Sequence, residues 1–151
     1  MTQWRGIIEE FKEFLPITDK TPFITLGEGN TPLVWAKRLA REIGFKGQLH
    51  LKYEGANPTG SFKDRGMAVA VSKALEEGAE MLMCASTGNT ASSAAAYGAK
   101  AGLPVAVLVP RGGVASGKRT QILAYGAKLV EIKSNFDACQ EIVKALVKKY
   151  P

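Results

Sequence analysis

The sequence predicts an α/β fold: an open parallel sheet with helices on both faces, preceded by a helical and irregular N-terminal arm. Three observations carry this. From residue 48 onward, short apolar runs alternate with stretches of helical spacing, the pattern of βαβ units with parallel strands and right-handed crossovers. Glycines stand where the helical stretches stop, at Gly44, Gly78, Gly102 and Gly126. Before residue 48 that rhythm is missing, and prolines and glycines cut the chain into short pieces. The change of rhythm divides the chain into an arm, residues 1–47, and a small α/β domain, residues 48–151.

In order along the chain, Trp4, Ile7, Ile8, Phe11, Phe14 and Leu15 follow helical spacing over residues 4–15, and Pro16 stops that helix. Residues 16–35 are irregular, punctuated by Pro16, Pro22, Gly27, Gly29 and Pro32. A short helix over 36–43 ends at Gly44. The rhythm then runs strand 48–53, helix 62–77, strand 80–84, helix 89–101, strand 105–109, helix 116–125, strand 128–132 and helix 136–150. In a sheet of this kind ligands sit beyond the carboxyl ends of the strands. Two polar loops, 57–63 and 86–90, fall at such ends.

With 151 residues the chain can bury one real core. Its 46% apolar and 23% charged content is ordinary for a globular protein. The net charge of +6 is scattered, with Lys118-Arg119 and Lys148-Lys149 the densest clusters and no aromatic residues interleaved. That argues against nucleic acid and for some preference for small anions. No apolar run is long enough to span a membrane, and Glu9, Glu10, Lys12 and Glu13 interrupt the first apolar stretch, so neither anchor nor signal peptide is expected. Cys84 and Cys139 lie far apart and read as buried free thiols, which fits a reducing compartment. His50 has no companion, so no metal site is expected.

The most informative stretch is Asn57-Pro58-Thr59-Gly60-Ser61-Phe62-Lys63-Asp64-Arg65-Gly66-Met67. Asn-Pro marks a turn, Gly60 permits an unusual backbone angle, and Thr59 and Ser61 are both candidate caps for the helix that follows. Lys63 then falls in the first turn, where the helix dipole disfavours a cation. A lysine that must spend time as a neutral amine, attacking carbonyls, is suited to that place. A solvated lysine near a cap is the plainer reading.

Ser86-Thr87-Gly88-Asn89-Thr90 follows a strand and opens a helix. Free backbone amides, three hydroxyls and a helix N-terminus suit a carboxylate or a phosphate. Capping alone needs only one such residue. The stretch after it, Ala91 to Ala96, reads as a surface for close helix packing. Gly112-Gly113-Val114-Ala115-Ser116-Gly117-Lys118 approaches a nucleotide-binding P-loop, but Arg119 stands where a magnesium-binding hydroxyl belongs. Glu54 and Asp64 flank the lysine stretch with no acid–base role assigned.

Gly29-Asn30-Thr31-Pro32-Leu33, Asn57 to Met67 and Ser86 to Thr90 together resemble the pyridoxal-phosphate enzymes of the tryptophan-synthase-β fold type. Within that group the wording of Asn57 to Met67 resembles the threonine synthase family. Dehydratase relatives are similar around Ser61-Phe62-Lys63 but usually lack the acidic–basic pair that follows, and sulfhydrylase relatives differ before the lysine. The three stretches occur in family order, and the resemblance runs across nearly the whole chain.

The resemblance implies pyridoxal 5'-phosphate as cofactor. Lys63 would bind its aldehyde covalently and then move protons at the substrate carbons. Phe62 would line the cofactor pocket, and Asn89 would hydrogen-bond the cofactor's phenolic oxygen. Ser86, Thr87, Asn89 and Thr90 would hold the substrate α-carboxylate. The implied activity is that of a lyase in threonine biosynthesis, turning O-phospho-L-homoserine and water into L-threonine and phosphate. A cytoplasmic homodimer with an amino-acid substrate, and with neither nucleic acid nor membrane as partner, goes with it. Family members are much longer than this chain. Their cofactor-phosphate loop and the hydroxyl facing the pyridine nitrogen would lie beyond residue 151. The chain is therefore expected to be an N-terminal piece, inactive alone: residues 1–47 would pack on an absent larger domain, and residues 48–151 form the smaller one. The competing readings are a serine/threonine dehydratase-like lyase, a nucleotide-binding domain using residues 112–118, and a non-catalytic domain that docks to a partner.

Overall fold

The computed structural model describes residues 3–150. Its centre is β4, Val105–Pro110, an unbroken apolar run whose first five residues are buried. Such a run suits a strand covered on both faces. It pairs in parallel with β3, Leu82–Ala85, on one side and β5, Lys128–Ile132, on the other, giving the order β3-β4-β5. On one face Val105, Val107 and Val109 pack with Ala91, Ala94, Ala95 and Ile122, which belong to α4, Asn89–Ala101, and α5, Ser116–Ala124. On the other face α6, Phe136–Lys149, lies against β3 and β4. The expected open parallel sheet with helices on both faces is present.

The alanine-rich part of α4 is what brings it close to the sheet. Every residue from Ala91 to Gly98 is buried, and a Cβ at Gly98 would stand 2.2 Å from a Val105 methyl. A bulkier helix face would hold α4 away from β4. On its outer side α4 packs against α3, Lys63–Glu76. Ala68, Val71, Ala96 and Tyr97 there receive Ile8 of the arm.

The arm departs from expectation in two places. The helix expected over 4–15 is only α1, Ile7–Phe11, followed by a single 3-10 turn, Lys12–Phe14. Gly6, at φ 99, starts α1 late, and Phe11, at φ −128, leaves the helical region early. Further on, β1, Leu33–Trp35, and β2, His50–Lys52, pair antiparallel, with α2, Lys37–Glu42, between them. The 48–53 run, expected to join the parallel rhythm, therefore pairs with the arm. Its side chains alternate polar and apolar, and all three residues of β2 are exposed. Alternation of that kind belongs to a strand with a solvated face, not to one enclosed in a parallel sheet. Among the described residues no helix is long and apolar enough to cross a membrane, and no group of three or more His, Cys, Asp or Glu could hold a metal ion.

Candidate functional site

The lysine stretch begins as a turn closed by the Gly60 amide, which donates to the Asn57 carbonyl at 2.8 Å. Gly60 sits at φ +85, a conformation that strains any side chain. Lys63 is the first residue of α3 and is exposed, its Nζ 4.8 Å from the centre of the Phe62 ring, which is itself exposed. The expected capping by Thr59 and Ser61 is realised differently. Phe62 occupies the cap position and offers no side-chain acceptor; Ser61 Oγ accepts only a long bond, 3.3 Å, from the Lys63 amide. Thr59 acts as a donor: its amide and hydroxyl bond the Asp64 carboxylate at 2.7 and 2.5 Å. Asp64 thus ties the preceding loop to the first turn of α3, an acid at the helix end where the dipole favours one.

Asp64 is fully buried and accepts a third bond from Ser93 Oγ in α4, at 2.7 Å. Arg65 points the other way. Its guanidinium forks onto Glu54 with two 2.7 Å bonds and also reaches Thr31 Oγ1 at 3.1 Å. The Arg65 hydrogen bond, assisted by those from Thr31 and Asn57 and opposed by burial, holds the Glu54 carboxyl down at about 2. Asn57 Oδ1 accepts from the Gly29 amide at 3.0 Å, while its Nδ2 donates to the Glu54 carbonyl and carboxylate. Gln121 of α5 donates to the Thr59 carbonyl at 3.0 Å. The lysine turn is thus tied to the arm, to α4 and to α5. A second buried carboxylate, Glu28, accepts from the amides of Ile7 and Leu26 and from the hydroxyls of Thr25 and Tyr97. Burial, reinforced by that hydrogen bond, pushes the Tyr97 phenol up.

The 86–90 loop leaves β3 and enters α4 through Gly88, which provides no side-chain cap. Ser86 Oγ accepts from the Gly88 amide at 3.3 Å. Among the described residues, Thr87, Asn89 and Thr90 make no side-chain hydrogen bond, and the first amides of α4 have no intrahelical acceptor. The loop offers a set of donors without acceptors, the chemistry of an anion site. Because Asp64 and Ser93 touch, α3 and α4 begin side by side, at the carboxyl end of β3. That brings Lys63 and the 86–90 loop to one end of one helix pair.

The remaining candidates are engaged elsewhere. Lys118 Nζ donates to Gln121 at 3.1 Å and Arg119 pairs with Glu131. Cys84 and Cys139 are both free; Cys139 is buried, Cys84 only partly, and burial pushes the Cys84 thiol up to about 11. Sequence reasoning did not single out Glu28, Ser93 or Gln121. Nothing local announces Glu28, whose partners lie at residues 7, 25, 26 and 97.

The family described as "Pyridoxal-phosphate dependent enzyme" matches residues 24–151. Among curated proteins, the threonine synthase of Halalkalibacterium halodurans is 57% identical over all of this chain, which covers 42% of that protein. The threonine synthase of Synechocystis sp. is 52% identical over 99% of this chain and 39% of its own length. The chain thus spans about two-fifths of the length of these relatives. Among solved structures, a pyridoxal 5'-phosphate-dependent aspartate racemase superposes with a TM-score of 0.75 at 26% identity, over 99% of this chain and 44% of that one. A threonine deaminase from Solanum lycopersicum does so with a TM-score of 0.69 at 27% identity, over 79% of this chain and 32% of that one. An α/β core with an exposed lysine opening one helix and a donor-rich loop opening its neighbour, matched over residues 24–151, places this chain in the pyridoxal-phosphate-dependent enzyme family.

Proposed function

We propose that this chain is the N-terminal portion of a threonine synthase, a pyridoxal-phosphate-dependent lyase converting O-phospho-L-homoserine and water into L-threonine and phosphate. The observation that carries the reading is the pairing of exposed Lys63 with the donor-rich 86–90 loop at adjoining helix starts. The donor set fits the cofactor's reactive end: a primary amine for the aldehyde, an amide side chain at Asn89 for the phenolic oxygen, and the Phe62 ring as an apolar wall. Ser86, Thr87, Asn89, Thr90 and the first amides of α4 suit the substrate carboxylate. When bound, pyridoxal phosphate supplies an electron sink for carbanion chemistry. Lys63 would hold the cofactor and carry protons to and from the substrate carbons, while the loop fixes the carboxylate so that those carbons face the amine.

In this reading residues 1–47 belong with a larger domain and residues 48–151 form the smaller one. Leu33, Val34, Trp35, Leu51 and Tyr53 of the β1–β2 region are exposed, which supports such a docking. A homodimer in a reducing cytoplasm completes the proposal.

Borohydride reduction of the full-length gene product with pyridoxal phosphate, followed by peptide mass spectrometry, tests the lysine assignment. The label is expected on Lys63; a label on another lysine overturns it. Phosphate release from O-phospho-L-homoserine, without ketoacid release from L-serine, separates the proposal from a dehydratase, the reading favoured by the likeness to threonine deaminase.

A further inference from the structure

We infer that Asp64 is a positioning residue that fixes Lys63 against the 86–90 loop through the Asp64–Ser93 hydrogen bond. The inference deepens the proposed function and rests on it. Lys63 and Asp64 are adjacent, so whatever holds the Asp64 carboxylate also holds the backbone from which the Lys63 side chain projects. Two of the carboxylate's three bonds go to Thr59, which turns residues 59–64 into a closed loop around the lysine's backbone. The third goes to Ser93, one turn into the helix that the 86–90 loop opens. Asp64 and Ser93 are both fully buried, so water does not compete for this bond. Among the described residues, the Ser93–Asp64 bond is the side-chain hydrogen bond that joins the element bearing the amine to the element bearing the anion site.

The arrangement separates two tasks. The Thr59 bonds shape the lysine turn; the Ser93 bond sets its distance from the loop. Removing Ser93 Oγ leaves the Thr59 bonds in place. Ser93→Ala should therefore leave capture of the cofactor intact and weaken the recognition of an amino-acid carboxylate.

The test uses the full-length gene product loaded with pyridoxal phosphate. Two quantities are measured: the fraction of borohydride label on Lys63, and the affinity for L-threonine from the change in cofactor absorbance. Ser93→Ala is expected to keep the label within about twofold while L-threonine binding weakens roughly tenfold, a selective loss of pre-positioning. In a double-mutant cycle, Asp64→Ala with Ser93→Ala is expected to bind L-threonine no more weakly than Asp64→Ala alone, because Asp64→Ala already removes the acceptor of that link. Unchanged L-threonine affinity in Ser93→Ala overturns the inference, as does a parallel fall in label and affinity, or strict additivity in the cycle. Absence of label on Lys63 in the unsubstituted protein overturns the proposed function itself, and so is distinguishable from failure of the positioning role.

Discussion

Lys63 and Arg65 sit two residues apart and illustrate opposite relations between a charge and its fold. Lys63 begins α3 with no ionic partner among the described residues, only the face of the exposed Phe62 ring nearby. An exposed cation–π contact is worth about 0.5–1 kcal/mol, and relief from the helix dipole returns a similar amount. Lys63→Met should therefore shift the apo melting temperature by less than ~3 °C while abolishing the borohydride label. Arg65 is buried to roughly two-thirds and forks onto Glu54. Arg65→Met should lower stability by about 1–2 kcal/mol at neutral pH, between the values for exposed ion pairs and for charged hydrogen bonds. The pH dependence has a definite sign. The Glu54 carboxyl titrates at about 2 in the fold against 4.5 for an unperturbed glutamate, so its stabilisation is complete above about 4.5 and fades as pH falls towards about 2. Melting curves of Arg65→Met and the unsubstituted protein should converge across that interval.

Among the elements, the parallel core was almost entirely readable and the arm was not. Continuous apolar runs, helical spacing and terminal glycines are local signals, and they located α3, α4, α5 and α6 and their strands to within about two residues, the ordinary uncertainty of such boundaries. The arm is organised by distant partners. Gly29 meets Asn57, Thr31 meets Arg65, Glu28 meets Tyr97, and Thr18 and Thr21 donate to Glu76 at the far end of α3. None of these leaves a short-range trace. The same division governs the candidate site: Lys63 and the 86–90 loop could be found from sequence, but the bonds that orient them could not. Two elements give predictions. Gly98→Ala gains about 1 kcal/mol of helix propensity but meets Val105 at 2.2 Å, and overpacking of about 1–3 kcal/mol should win, lowering the melting temperature. The arm should also loosen in acid before the sheet does. Glu54 and Glu76, its anchors on and beside α3, both titrate at about 2, Glu76 held there chiefly by Lys73. Their stabilisation is lost as pH falls below about 4.5. In a Trp35→Phe background, Trp4 emission should shift to the red before far-ultraviolet dichroism declines.

For the molecule as a whole, protection is expected to be graded. β4 is buried and paired on both sides, whereas β1 and β2 form a two-stranded antiparallel pair exposed on both faces. Isolated two-stranded pairs are marginal by themselves. Amide exchange in this chain should be slowest in β4 and faster by orders of magnitude in residues 33–35 and 50–52. Equal protection would show that the β1–β2 pair is held by contacts beyond its own ladder. The buried Glu28 also has a consequence in time. Its hydroxyl partner Tyr97 is 69 residues further along the chain. At about 5–20 residues per second, a ribosome makes that partner roughly 3–14 s after the glutamate itself. Until then the arm has no finished helix pair to close upon, so the arm is made before those helices and settles after them.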